Sequence, residues 1–214
     1  MLIACWSVKG GSGTTVVAAA LALILARSAA PGTVAVDLAG DLPAVLGLPE
    51  PTGAGVSDWL GAGPDVPSDA LARLEVDAGQ GLRLLPRGAG PLAAAGGERL
   101  ASALCGHGRV VVDCSSGSEP VGLAVAASAS LSLLVLRPCY LALRRALAAP
   151  LRPSGVILVD EPGRSLGRGD VEEVLGVPVR ARVAWDPTVA RCVDAGLLAG
   201  RVPRALERAL RQAA

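Results

Sequence analysis

The sequence predicts an α/β fold, a doubly wound and mostly parallel sheet of about seven strands with helices on both faces. Three observations point there. Short apolar runs of β-type residues alternate along the chain with stretches of helical length. The runs are apolar throughout rather than apolar on alternate residues, as strands buried on both faces require. The first run passes through a glycine-rich loop directly into a long apolar helix.

In order, the strands are predicted at Leu2–Ser7, Thr33–Asp37, Leu82–Pro86, Val110–Asp113, Leu131–Leu136, Gly155–Val159 and Val179–Val183. Helices are predicted between them at Thr14–Ala29, Pro91–Cys105, Pro120–Ala129, Cys139–Ala149 and Asp170–Leu175, and two more close the chain at Pro187–Leu198 and Pro203–Gln212. The stretch Val121–Leu136 is long and uncharged, but Gly and Ser interrupt it and it is shorter than a membrane span. It reads as a buried helix followed by a buried strand. The Gly/Pro-rich stretch Gly47–Pro67, with a short helix around Val56–Leu60, reads as an active-site loop, because strands resume after it in the same pattern. One domain over residues 1–214 is the economical organisation.

Composition narrows the function. Of 214 residues, 51% are hydrophobic and 18% charged, enough for a core and too apolar for disorder. A net charge of +1 argues against a dedicated nucleic-acid coat protein. Lys9 is the single lysine among 20 cationic residues, so it stands where this chain otherwise writes arginine. Five cysteines, scattered and never spaced as CxxC, argue against a disulfide framework or a thiolate metal site. The N-terminus lacks the basic-then-apolar order of a signal peptide, so a cytoplasmic protein is expected.

The first strand runs into Val8-Lys9-Gly10-Gly11-Ser12-Gly13-Thr14-Thr15. Glycines let backbone N–H groups curl around an anion, and the helix N-terminus adds partial positive charge. Thr15 falls where a P-loop hydroxyl holds Mg²⁺. This run resembles the deviant Walker A motif of the ParA/MinD family of P-loop ATPases. The resemblance implies ATP and Mg²⁺ as ligands, with Gly10, Gly11, Ser12, Gly13, Thr14 and Thr15 around the phosphates. It also implies a nucleotide-dependent homodimer in which Lys9 reaches the partner's phosphates. The family's second lysine is Thr14 here, which removes a cation from the phosphates. That departure moves the resemblance toward the CpaE/TadZ pilus-assembly branch.

Two apolar strands end in aspartate. Asp37 and Asp41 lie in a VDLAGDL run that resembles the family's second-strand pattern, with Ala39 where many members have a further aspartate. The resemblance gives Asp37 to Mg²⁺ and, with Asp41, to catalysis; Asp41 as a plain helix cap is the other reading. Asp113 closes a Walker B-like strand and would hold Mg²⁺, with Ser115–Gly117 near the γ-phosphate. Asp160 stands where the family has a base-reading asparagine; an ionised aspartate only accepts, which leaves ATP and GTP both open. Trp185 and Pro187 resemble the family's late loop beside the base, and Trp185 as a rim residue packed on a helix is the other reading.

The last helix sets Arg201, Arg204, Arg208 and Arg211 on one face and Val202, Leu206, Ala209, Leu210 and Ala213 on the other. A packed terminal helix, a weak contact with an anionic membrane surface and non-specific DNA contact are the three readings. His107 has no sequence partners for metal or catalysis and reads as a loop residue. The resemblance therefore implies a dimerising nucleotide switch with protein partners in an assembly or positioning system, in the cytoplasm, at the membrane periphery or at a cell pole. The alternative is a non-hydrolysing scaffold of the same fold, to which Thr14, Ala39 and Asp160 all point. A cofactor-synthesis enzyme is a third class, and no cluster for a second substrate stands out.

Overall fold

The structure, a computed structural model, describes residues 1–28, 32–116 and 119–213. All its strands join one sheet of order β3-β4-β2-β5-β1-β6-β7-β8. These are β1 (Leu2–Ser7), β2 (Thr33–Asp37), β3 (Val76–Asp77), β4 (Leu82–Leu85), β5 (Arg109–Ser116), β6 (Leu131–Leu136), β7 (Gly155–Asp160) and β8 (Val179–Ala184). Every pairing is parallel except β3 with β4. The seven expected strands are all present, and the short β3 joins them. It is two exposed residues long, so it carries no apolar signal; a turn at residues 78–81 folds it back on β4.

The helices are α1 (Thr14–Ser28), α2 (Leu42–Leu46), α3 (Val56–Gly61), α4 (Gly97–Cys105), α5 (Pro120–Ser128), α6 (Tyr140–Leu147), α7 (Arg168–Leu175), α8 (Pro187–Asp194) and α9 (Arg204–Leu210). Ala29, the predicted end of the first helix, lies outside the described residues. The strand period of two divides the core. Leu2, Ala4 and Trp6 pack with α3 to α7 on one face, while Ile3 and Cys5 pack with α1, α2 and α9 on the other. Helix α1 is apolar nearly all round because it lies buried across the sheet centre.

Within the Gly47–Pro67 segment, expected as an active-site loop, Gly55–Ser57, Trp59 and Leu60 are buried and the remainder lies at or near the surface. The Val56 and Ser57 N–H groups donate to the Pro86 and Arg87 carbonyls at 2.9 and 2.8 Å, stitching α3 to the end of β4. Trp59 is buried beneath the Arg99 guanidinium, which lies 3.9 Å from its ring centroid. The apolar face of the terminal helix is packed: Val202, Leu206, Leu210 and Ala213 are buried with α1 and β8, and the four arginines lie on the exposed face. Among the described residues, no helix is long and apolar enough to cross a membrane.

Candidate functional site

In the sheet order, β1 and β6 are neighbours whose connections leave in opposite directions, toward β2 and toward β7. Ligands of open α/β sheets bind at the carboxyl ends of such strands. The glycine loop sits there. Gly11 (φ +74) and Gly13 (φ +89) take the left-handed conformation that glycine adopts at least cost. The Ser7 and Ser12 hydroxyls donate to the Lys9 carbonyl at 3.0 and 3.1 Å and tie the loop to itself. Gly10, Gly11, Ser12, Gly13, Thr14 and Thr15 line one cavity of about 650 Å³. Asp41, Ser115 and Ser116 line it too, and Gly117 lies outside the described residues.

Lys9 does not line that cavity. It borders a second one of about 380 Å³ with Ser116 and Arg145, and no hydrogen bond or ion pair holds its ammonium among the described residues. Thr14 is buried, so the family's cation position holds a neutral hydroxyl.

Asp37 and Asp113 stand side by side in register on β2 and β5, both fully buried. Their surroundings differ. Asp37 accepts from the Ala39 and Gly40 N–H groups at 3.0 and 2.7 Å and from Leu42 at 3.1 Å. Burial raises its pKa against the pull of those three bonds. It is thus the anchor of the loop that carries Asp41 into the cavity. Asp113 accepts from the Ser115 N–H at 3.1 Å, and the nearby Thr15 hydroxyl and that N–H both favour its charged form. Its Oδ2 is buried with no partner, and burial pushes its pKa up to about 6. An orphaned buried carboxylate oxygen beside a hydroxyl and a loop of N–H groups fits a divalent cation shared with a phosphate. Among the described residues there is no cluster of three or more His, Cys, Asp or Glu, so an all-protein metal cage is not built. Asp41 makes no side-chain cap bond to α2, so its carboxylate is not occupied as a cap.

Beside the loop lies an apolar slot of about 280 Å³, walled by Val16, Val159, Val183, Trp185 and Val189, with Asp186 at its rim. Trp185 is 46% exposed, an uncommon position for a ring of that size unless something covers it. Asp160 does not face the slot: its carboxylate pairs with Arg182 on β8. Pro187 opens α8 beside the slot without lining it. Asp186 caps α8 through the Thr188 N–H at 2.8 Å, and its carboxyl is held low first by the Thr188 hydroxyl. His107 bonds Glu75 at 2.9 Å, which agrees with its reading as a loop residue.

Sequence reasoning missed Arg137. Its Nη1 donates to the Gly11 carbonyl at 3.1 Å, its Nη2 to Glu161 at 2.9 Å, and its guanidinium lies 4.8 Å from the Trp185 ring centroid. The available signal was its place directly after a strand beside β1, at the switch point. In a chain this rich in arginine, the residue type alone singles out nothing.

No protein-family model matches the chain, and no curated protein matches it in sequence. Solved structures do match in fold. The septum site-determining protein MinD of Pyrococcus horikoshii, complexed with Mg-ADP, is 22% identical with a TM-score of 0.78, over 99% of this chain and 93% of that one. A ParA family ATPase of Chlorobium tepidum is 20% identical with a TM-score of 0.74, over 98% and 96%. A Cyanothece McdA–ATP complex is 17% identical with a TM-score of 0.73, over 98% and 93%. The chain therefore has the P-loop NTPase fold that the ParA/MinD ATPases share.

Proposed function

We propose that the chain binds Mg-ATP in the cavity over the glycine loop and acts as a dimerising spatial switch of the ParA/MinD kind. The observation that carries this is the convergence of the loop glycines, Thr15 and the partnerless Oδ2 of Asp113 on one side of the sheet. The loop N–H groups hold the phosphates, and the Thr15 hydroxyl and Asp113 hold the magnesium. Magnesium, when bound, neutralises phosphate charge. Asp41, carried into the cavity by the loop that Asp37 anchors, orients the attacking water. Lys9, without a hydrogen-bond or ion-pair partner among the described residues and outside the cavity, serves the site of a second copy. That MinD carries Mg-ADP and McdA carries ATP supports the choice of ligand.

Thr14 in GGSGTT supports the CpaE/TadZ branch, hence a role in pilus or secretion assembly or in positioning at a pole or division site, in the cytoplasm or at the membrane periphery. A second reading, a non-hydrolysing scaffold, draws on Thr14, Ala39 and the Asp160–Arg182 pair. Phosphate release from Mg-ATP separates the two. Slow turnover that falls at least tenfold in Asp41→Ala supports the switch. A wild type without turnover that gains it in Thr14→Lys supports the scaffold.

A further inference from the structure

The geometry points to Arg137 as a positioning residue for the nucleotide. It braces the glycine loop from the end of β6 and supports the Trp185 ring, which walls the base side of the site. This rests on the nucleotide reading above and names a residue and a subsite that the reading does not contain.

The guanidinium holds three groups from three separate elements. Its Nη1 donates to the carbonyl of Gly11, at the crest of the loop; its Nη2 donates to Glu161, just after β7; its Cζ lies over the Trp185 ring, 4.8 Å from the centroid, just after β8. Glu161 is itself held ionised, first by Arg164 and then by Arg137, so the brace is charged at both ends. A trans peptide points its C=O and N–H in opposite directions. Fixing the Gly11 carbonyl on Arg137 therefore turns the Ser12 N–H away from Arg137, and Ser12 lines the phosphate cavity. The loop is in this way set for an anion before one arrives, which removes an ordering cost from binding.

The second half of the argument concerns the base. Asp160, the residue expected to read it, is tied to Arg182 and does not face the slot. The slot offers apolar walls and the Trp185 ring instead. A base there is held by stacking, and an arginine plane against a tryptophan ring is a surface to which a flat, polarisable ring adds readily. Where Thr14 provides no cation, the Arg137 guanidinium bonded to Gly11 sets a positive charge against the loop.

The test is titration of Mg-ATP and, separately, of magnesium tripolyphosphate, which has phosphates but no base, into wild type, Arg137→Ala, Arg137→Lys and Glu161→Gln. Arg137→Ala is expected to weaken Mg-ATP about tenfold or more and tripolyphosphate by a smaller factor, because only ATP uses the base wall. Arg137→Lys keeps charge without the planar fork and is expected to fall between. Glu161→Gln loosens the brace and is expected to weaken Mg-ATP about threefold. Should Arg137→Ala fail to fold, the other two substitutions carry the comparison. A purely structural arginine would weaken both ligands by the same factor, and that result overturns the inference, as does Mg-ATP affinity within twofold of wild type. In both cases the nucleotide reading stands, since wild type binds. A wild type that binds neither ligand overturns that reading and this inference with it.

Discussion

Asp37 and Asp113 are the same residue type on adjacent strands, and hydrogen bonding alone separates their roles. Asp37 accepts three backbone N–H groups. Asp113 is left with a buried oxygen that no protein group satisfies and a pKa raised to about 6 from an ordinary 3.8. In the folded state it binds its proton more tightly than in the unfolded chain. Between about pH 4 and 6 the folded state therefore holds more protons, and stability falls as pH rises through that window, then levels off above it. The shift corresponds to about 3 kcal/mol. Asp113→Asn is expected to stabilise the ligand-free protein at pH 7.5 by roughly 1–3 kcal/mol and to flatten the pH profile, read by urea denaturation with the pH varied. An unchanged or lowered stability would mean that the carboxylate already has a partner.

Glycine placement decides the behaviour of the elements around the cavity. Gly47 closes α2 at φ +73, and a Cβ there would stand 2.1 Å from the Gly196 carbonyl oxygen just after α8. Gly47→Ala is expected to cost more than about 1 kcal/mol and to weaken Mg-ATP, because it pushes apart two elements that border the site. Gly55 precedes α3, where a Cβ would meet the Pro86 carbonyl oxygen at 2.4 Å, away from the cavity. Gly55→Ala is expected to lower stability by a similar amount and leave nucleotide affinity of the folded protein unchanged. Equal effects on affinity would support the active-site reading of residues 47–67. For α9, Leu206→Ala is expected to cost about 2–5 kcal/mol and Arg208→Ala less than about 0.5 kcal/mol. A membrane helix with a free apolar face would show the reverse order of sensitivity.

What the sequence made legible follows from which signals are local. The seven longer strands and the loop between β1 and α1 are written as runs of one residue class, so their existence was readable, with ends displaced by up to three residues. Strand β3 has no such run. The docking of Val56 and Ser57 on the end of β4 was not readable, because its bonds join segments about 30 residues apart. Asp160 was expected at the base, and its partner Arg182 sits on the next strand, a juxtaposition only the parallel register of β7 and β8 creates. Arg137 was invisible for the same reason.

At the scale of the whole molecule, one chain leaves the site incomplete: the loop has no lysine of its own at position 14, and Lys9 has no hydrogen-bond or ion-pair partner among the described residues. Sedimentation is expected to give a dimer with Mg-ATP and a monomer for Lys9→Ala under the same conditions. A monomer at every nucleotide concentration would remove the trans role of Lys9. The central claim, that the cavity over the glycine loop is a magnesium–nucleotide site, is tested most directly by calorimetric titration of ATP with and without Mg²⁺ into wild type and Asp113→Asn. Saturable binding by wild type that strengthens with Mg²⁺, and loses that strengthening in Asp113→Asn, is the expected result. Absence of binding, or a Mg²⁺ effect that Asp113→Asn preserves, would contradict it.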